Sequence, residues 1–190
     1  MKPSPYFADT IRYFFQRFRS RESLLRWFVK RAGNSSEPFK YPIDFAKING
    51  LLVILPELPD NVLAYADFFK FLDTRKIPGT LLLANTRHKE FLQTLGLQTA
   101  ALYHSGIGCR YGEPEFQKIQ EKLCGARFTA SIYLEPKPLF QMLYLAKVCG
   151  ATYRFGFDSE RFFPLLNLSL LAGDNTEKRS EFLTGLFGNR

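Results

Sequence analysis

From residue 51 onward, short apolar runs alternate with stretches whose apolar residues recur at helical spacing, and this alternation constrains the fold more than any other feature of the chain. Residues 51–55, 80–84, 99–103 and 128–134 read as strands, and residues 61–72, 87–95, 113–123 and 138–149 read as helices. Runs such as Leu51-Leu52-Val53-Ile54-Leu55 offer no polar face to water. A strand that is apolar on both faces must be covered on both, and helices between consecutive strands provide the cover. The predicted fold is therefore α/β, a Rossmann-like doubly wound parallel sheet. A last helix is predicted over 176–187, with Asp174 or Asn175 available as its N-cap.

At 190 residues the chain can bury one substantial core but not two of ordinary size. Its 20 Phe and 9 Tyr exclude general disorder. The net charge of +8 is unevenly placed: residues 1–33 carry +6 and the remaining residues only +2. The basic character thus belongs to an N-terminal arm. Cys109, Cys124 and Cys149 form an odd set with no C-x-x-C spacing, and only His88 and His104 are present to join them. A disulfide framework or a zinc site is not expected, and a reducing compartment fits better. No metal and no cofactor are expected.

Between Phe7 and Arg31 the pattern is helical, with a break near Ser20. At about 100° per residue, Phe7, Ile11, Phe14, Phe18 and Leu25 share one stripe, while Arg12, Arg19, Arg26 and Lys30 share another face. Such an amphipathic basic helix either docks on its own domain or lies on an anionic membrane surface, with Phe14, Phe18 and Trp27 entering the interface and the cations meeting lipid phosphates. Nucleic acid ranks last as a partner because no base-reading motif is present. No segment reaches the length of apolar chain that spans a bilayer, so a cytoplasmic location is expected, with peripheral contact to the inner membrane as its extension. Gly33-Asn34-Ser35-Ser36-Glu37-Pro38 has linker composition. The expected organisation is a helical arm over 1–33, a linker and lead-in over 34–47, and the α/β domain over 48–190.

The stretch from Phe128 to Leu170 keeps a distinctive order of parts. An apolar strand is followed by a Pro-started helix, then Gly150-Ala151-Thr152-Tyr153-Arg154-Phe155-Gly156-Phe157-Asp158, then an apolar run through Leu166-Asn167-Leu168. This order resembles the late part of the N-terminal domain of the heptosyltransferase-like glycosyltransferases (glycosyltransferase family 9), where a helix ending in a Gly-Ala-x-x-Arg-x-Gly-Phe turn precedes a Leu-Asn segment. The similarity extends more weakly back to Ile48 and forward to the last residue. It implies the N-terminal half of a glycosyltransferase-B fold, and the chain is expected to lack the C-terminal, donor-binding domain. In that family the 150–158 stretch is a turn and short strand packing the sheet edge, so Gly156 is expected to serve backbone geometry and Asp158 a local cap. Asn167 either satisfies backbone groups or lines the cleft.

In an open α/β sheet, ligands bind beyond the carboxyl ends of the strands. The first such loop is Pro56-Glu57-Leu58-Pro59-Asp60, followed by Asn61. The resemblance places Asp60 where the family has an Asp that serves as candidate general base for an acceptor hydroxyl. The family's loop glycines are missing here. Glycine admits positive φ and close approach, whereas Pro56 and Pro59 fix φ and remove amide donors. Asp60 also reads as a helix N-cap, the more frequent outcome at such a position. Glu57 and Asn61 flank it as cleft candidates. After the second strand come Asn85 and Arg87, the latter a candidate for phosphate or a solvated helix start. His104 after the third strand can transfer protons near neutral pH. Glu135, beside Lys137 after the fourth strand, can bind sugar hydroxyls or remain a solvated loop carboxylate.

Together these features predict a single heptosyltransferase-like domain that binds or scaffolds at the cytoplasmic membrane surface without catalysis. The alternative is the acceptor-binding half of a split glycosyltransferase in bacterial lipopolysaccharide or cell-envelope glycan synthesis, completed by a separate donor-binding partner. A partner-recruiting adaptor on an inherited fold is a third reading, because fold alone does not decide function.

Overall fold

A computed structural model of the protein describes residues 21–33, 43–105, 111–135, 139–157, 162–171 and 175–188. Along the chain these form α1 (Arg21–Ala32), a 3-10 turn (Phe45–Lys47), β1 (Leu51–Ile54), α2 (Pro59–Leu63), α3 (Ala66–Arg75), β2 (Leu81–Asn85), a 3-10 turn (Thr86–His88), α4 (Lys89–Thr94), β3 (Ala100–His104), α5 (Pro114–Ala126), β4 (Ala130–Tyr133), α6 (Phe140–Val148), β5 (Tyr153–Phe157), β6 (Leu168–Leu170) and α7 (Thr176–Gly188). The strands form one sheet in the order β3-β2-β1-β4-β5-β6, with every pairing parallel. The doubly wound parallel sheet predicted from the alternation is the observed architecture. The predicted helix over 61–72 is two helices, because Ala64 and Tyr65 interrupt it.

Alternation along β1 divides the core. Leu52 and Ile54 face one layer, where α1, α5 and α6 contribute Phe28, Phe116, Leu123, Phe140 and Leu143. Leu51 and Val53 face the other, where α2, α3 and α7 contribute Val62, Phe68, Phe69, Leu183 and Phe187. Removing each such side chain from water stabilises the fold by roughly 1.5–3 kcal/mol before entropy is counted. Strand burial on both faces is thus the physical reason the apolar runs are continuous. Gly50 opens β1 at φ +86, where an added Cβ would lie 2.8 Å from the Arg127 carbonyl oxygen, so only glycine fits this approach.

The Gly150-Ala151-Thr152-Tyr153-Arg154 motif is a structural device. Gly150, at φ +79, ends α6 in the left-handed conformation and turns the chain into β5. The buried Arg154 guanidinium donates to the carbonyl oxygens of Ala151, Leu165 and Pro164 at 2.5, 2.9 and 3.2 Å. Asn167 accepts from the Arg154 amide at 2.7 Å and donates to the Thr152 carbonyl at 2.8 Å, so it satisfies backbone groups. β5 lies inside the sheet, because β6 pairs beyond it, which corrects the expected edge position. Asp158 lies outside the described residues.

The part of the arm that is described, α1, is docked against α6. Phe28 is fully buried, and its ring meets those of Tyr111, Phe140 and Tyr144. Trp27 stands edge-on to Phe28 and Tyr111. For α1 this is the first of the two expected readings, docking on its own domain: Leu24, Leu25, Trp27, Val29 and Ala32 pack partly buried against the core that encloses Phe28. Arg12, Phe14, Phe18 and Arg19 lie outside the described residues.

Candidate functional site at the carboxyl edge of the sheet

β1 pairs with β2 on one side and β4 on the other, so the chain's direction of winding reverses between β1 and β4. A crevice opens at such a switch point beyond the strand ends. The ladder continues there: Leu55 donates to the Leu83 carbonyl and Leu134 to the Ile54 carbonyl, each at 3.0 Å. This carries the loops after β1 and β4 side by side. Pro56 is buried, and Glu57 turns its backbone amide onto the Glu135 carboxylate at 2.7 Å.

The Glu57 carboxylate is the centre of a polar cluster. One oxygen accepts from the Asn85 amide nitrogen at 3.0 Å, and the other lies 3.9 Å from His104 Nε2, at electrostatic rather than hydrogen-bonding range. Asn85 ends β2 and also accepts from the Arg87 backbone amide at 3.0 Å, capping the 3-10 turn. His88, from the same turn, places Nε2 3.2 Å from the Glu57 carbonyl, so Nε2 carries the proton and donates. His88 Nδ1 is then a buried acceptor with no partner among the described residues. Burial lowers the pKa of His88, opposed by the Glu57 carbonyl and charge. Burial also lowers that of His104, opposed by Glu57 and Glu115. Both imidazoles are neutral at neutral pH. Behind His104, Ser105 donates its amide to Glu115 at 2.7 Å and its hydroxyl to the same carboxylate.

On the opposite flank, Arg179 from the first turn of α7 is buried with its guanidinium 4.9 Å above the Phe157 ring. Tyr65, pushed up to about 12 by burial, feels both Arg179, which opposes the shift, and Glu135, which adds to it. Sequence reading brought out neither Arg179, Tyr65 nor Glu115, and it gave His88 no role, because each acts through a partner distant in the chain.

Of the sequence candidates, Glu57, Asn85, His104 and Glu135 converge here. Arg87 contributes its backbone amide while its side chain is exposed. Asn61 lies half-buried on α2. Lys137 lies outside the described residues. Asp60 is not the N-cap it was expected to be: α2 starts with Pro59 at its first position, which hands the cap position to Leu58. Asp60 sits exposed in the first turn and, with Asp67, Glu177 and Glu181, lines a groove of about 740 Å³ between α2, α3 and α7. Among the described residues no group of three or more His, Cys, Asp or Glu is placed to hold a metal ion.

No protein-family model matches the sequence, and no curated protein matches it. Among solved structures, the ADP-heptose lipopolysaccharide heptosyltransferase II of E. coli is similar, with a TM-score of 0.52 and 19% identity over 73% of this chain. The chain shares the Rossmann-like fold of the part of that enzyme it overlays. It spans 40% of the length of that enzyme. At this identity the likeness is one of fold, and the function must be argued from the carboxylate crevice.

Proposed function

We propose that this glycosyltransferase-like domain binds a polyhydroxylated, sugar-like ligand at the β1–β4 crevice and acts as a binding or scaffold element rather than as a transferase by itself. The observation that carries this reading is the meeting of the β1 and β4 loops at the switch point, where the Glu57 backbone amide donates to the Glu135 carboxylate and each loop brings one carboxylate. Carboxylates accept hydrogen bonds from sugar hydroxyls, and Asn85 orients the Glu57 head. Pro56 and Pro59 remove amide donors from the first loop, which favours a neutral polyol over a phosphate.

A second reading is supported by His104 beside Glu57. In an acceptor-binding half completed by a donor-binding partner, Glu57 rather than Asp60 would take the hydroxyl proton of the acceptor, since Glu57 lies in the crevice and Asp60 lines the groove toward α7.

A groove beside α1 supports work at an anionic membrane surface. Leu25 and Val29 join the exposed Phe163 in a shallow groove of about 600 Å³ edged by Arg26 and Lys30. No helix among the described residues is long and apolar enough to cross a membrane.

Calorimetric titration of the full chain with free heptoses and hexoses, and with ADP- and UDP-linked sugars, tests the proposal. Saturable binding of free sugar that is lost in Glu57→Gln is expected. Binding of nucleotide sugar alone, or equal binding by Glu57→Gln, overturns it.

A further inference from the structure

Away from the crevice, on the opposite flank of the core, two cysteines separated by 24 intervening residues meet. Cys124 lies in the last turn of α5, and Cys149 is the C-cap of α6. Their sulfurs are 3.9 Å apart, and the Cys124 thiol also points at the Val148 carbonyl, 3.5 Å away. Cys124 is exposed and Cys149 buried. We infer that Cys124 and Cys149 are a reversible oxidation site, closed to a disulfide by exchange with a low-molecular-weight disulfide such as oxidised glutathione.

A disulfide holds its sulfurs at about 2.05 Å. The sulfurs must therefore approach by just under 2 Å, a movement that side-chain rotation at two helix ends can supply. Gly150, at φ +79 with no atom within 4 Å of an added Cβ, leaves room for the Cys149 backbone to adjust.

The asymmetry in exposure sets the order of events. Cys124 gives its proton to solvent and its thiolate attacks one sulfur of oxidised glutathione; the glutathione S–S bond breaks and one glutathione leaves as a thiol after taking up a proton. Cys149 then loses its proton to solvent and attacks the Cys124 sulfur, expelling the second glutathione. Two protein thiols are oxidised by two electrons, and one small disulfide is reduced to two thiols. Burial holds the Cys149 thiol above its ordinary pKa, with neighbouring Cys124 adding to the shift, so the second step is the slower one. In a reducing compartment the pair rests as thiols and closes only when the small-disulfide pool turns oxidising.

The test uses the full chain and its Cys109→Ser variant, each incubated with oxidised glutathione. Expected are the loss of two thiols, one cross-linked peptide containing both Cys124 and Cys149, and an unfolding midpoint raised by about 5 °C or more, all reversed by dithiothreitol. Cys124→Ser should show none of these changes. A lasting glutathione adduct on Cys124, thiols that resist oxidation, or linkage between chains overturns the inference. Should the Cys109→Ser variant fold poorly, the peptide map of the unmodified sequence decides by the same criteria, with linkage through Cys109 counting against it.

Discussion

The backbone amide of Glu57 donates to the side chain of Glu135 at 2.7 Å, across 78 positions of sequence. This bond ties the backbone of the loop after β1 to the carboxylate on the loop after β4, and it makes Glu135 both a structural acceptor and a candidate ligand. The two roles separate experimentally. Glu135→Gln keeps an oxygen for the Glu57 amide and should leave stability within about 1 kcal/mol. Glu135→Ala orphans that amide and should cost about 1–3 kcal/mol. If Glu135 contacts sugar as a carboxylate, calorimetry will show binding weakened roughly tenfold already in the Gln variant, as loss of a charge-assisted hydrogen bond predicts.

Asn85 is bonded on both sides, accepting from Arg87 and donating to Glu57. Asn85→Asp retains the acceptor for Arg87 but sets a second carboxylate against Glu57. Stability relative to the unchanged protein should fall by about 1–3 kcal/mol at pH 7. Like charges raise the pKa of one carboxyl in the folded state, so a proton is bound there that the unfolded chain does not hold. The relative deficit should therefore shrink toward pH 5. Urea denaturation at both pH values measures it, and a deficit independent of pH would remove Glu57 from contact with position 85.

The two histidines act in the opposite sense. Burial holds His88 and His104 below their ordinary value near 6.5. Below that value the unfolded chain binds protons that the folded state excludes, so their contribution is complete above pH 6.5 and is lost as pH falls through the folded-state values. The charged groups facing them are Glu57 and Arg87 for His88, and Glu57 and Glu115 for His104, with each histidine beside the other. Unfolding free energy should decline on acidification from pH 7 to 5, by at most about 1.4 kcal/mol per pH unit for each histidine. His88→Gln should flatten that slope, and an unchanged slope would assign it to other groups.

Much of the fold was legible because its physical cause is local. Continuous apolar runs such as Leu51 to Leu55 declare a doubly covered sheet, and Asn175 caps α7 by accepting from the Lys178 amide at 3.1 Å. The crevice was legible as a place, since Glu57, Asn85, His104 and Glu135 each follow or end a strand, but not as a network. The Glu57–Asn85 and Glu57–His88 contacts join residues 28 and 31 positions apart, and nothing in either segment marks its partner. Asp60 was misplaced by one local effect: Pro59 is already preorganised for the first helical position, so the helix begins two residues earlier than an Asp60 cap requires. Periodicity marked the arm as an amphipathic helix, but not which ring enters the core, because that is selected by the shape of the slot between Tyr111, Phe140 and Tyr144 that receives Phe28.

That packing changes how the membrane reading must be tested. Deleting residues 1–33 would remove Phe28 from the core, and a buried Phe lost to truncation costs about 3–5 kcal/mol. Such a truncation should unfold much of the domain and is uninformative about lipid. Arg26 and Lys30 are exposed, and Arg26 pairs with Glu22 on the preceding turn at 2.6 Å, an exposed contact that contributes little to stability. Arg26→Glu with Lys30→Glu should therefore leave the unfolding midpoint nearly unchanged. Vesicles containing phosphatidylserine or phosphatidylglycerol should bind the unmodified full chain, less so as salt is raised, because a basic residue near an anionic surface contributes about 1 kcal/mol that screening removes. The double charge reversal should lower that binding at least tenfold, and Phe163→Ser should lower it without changing its salt dependence. Undiminished binding by the charge-reversed protein would show that the α1–Phe163 groove does not face lipid.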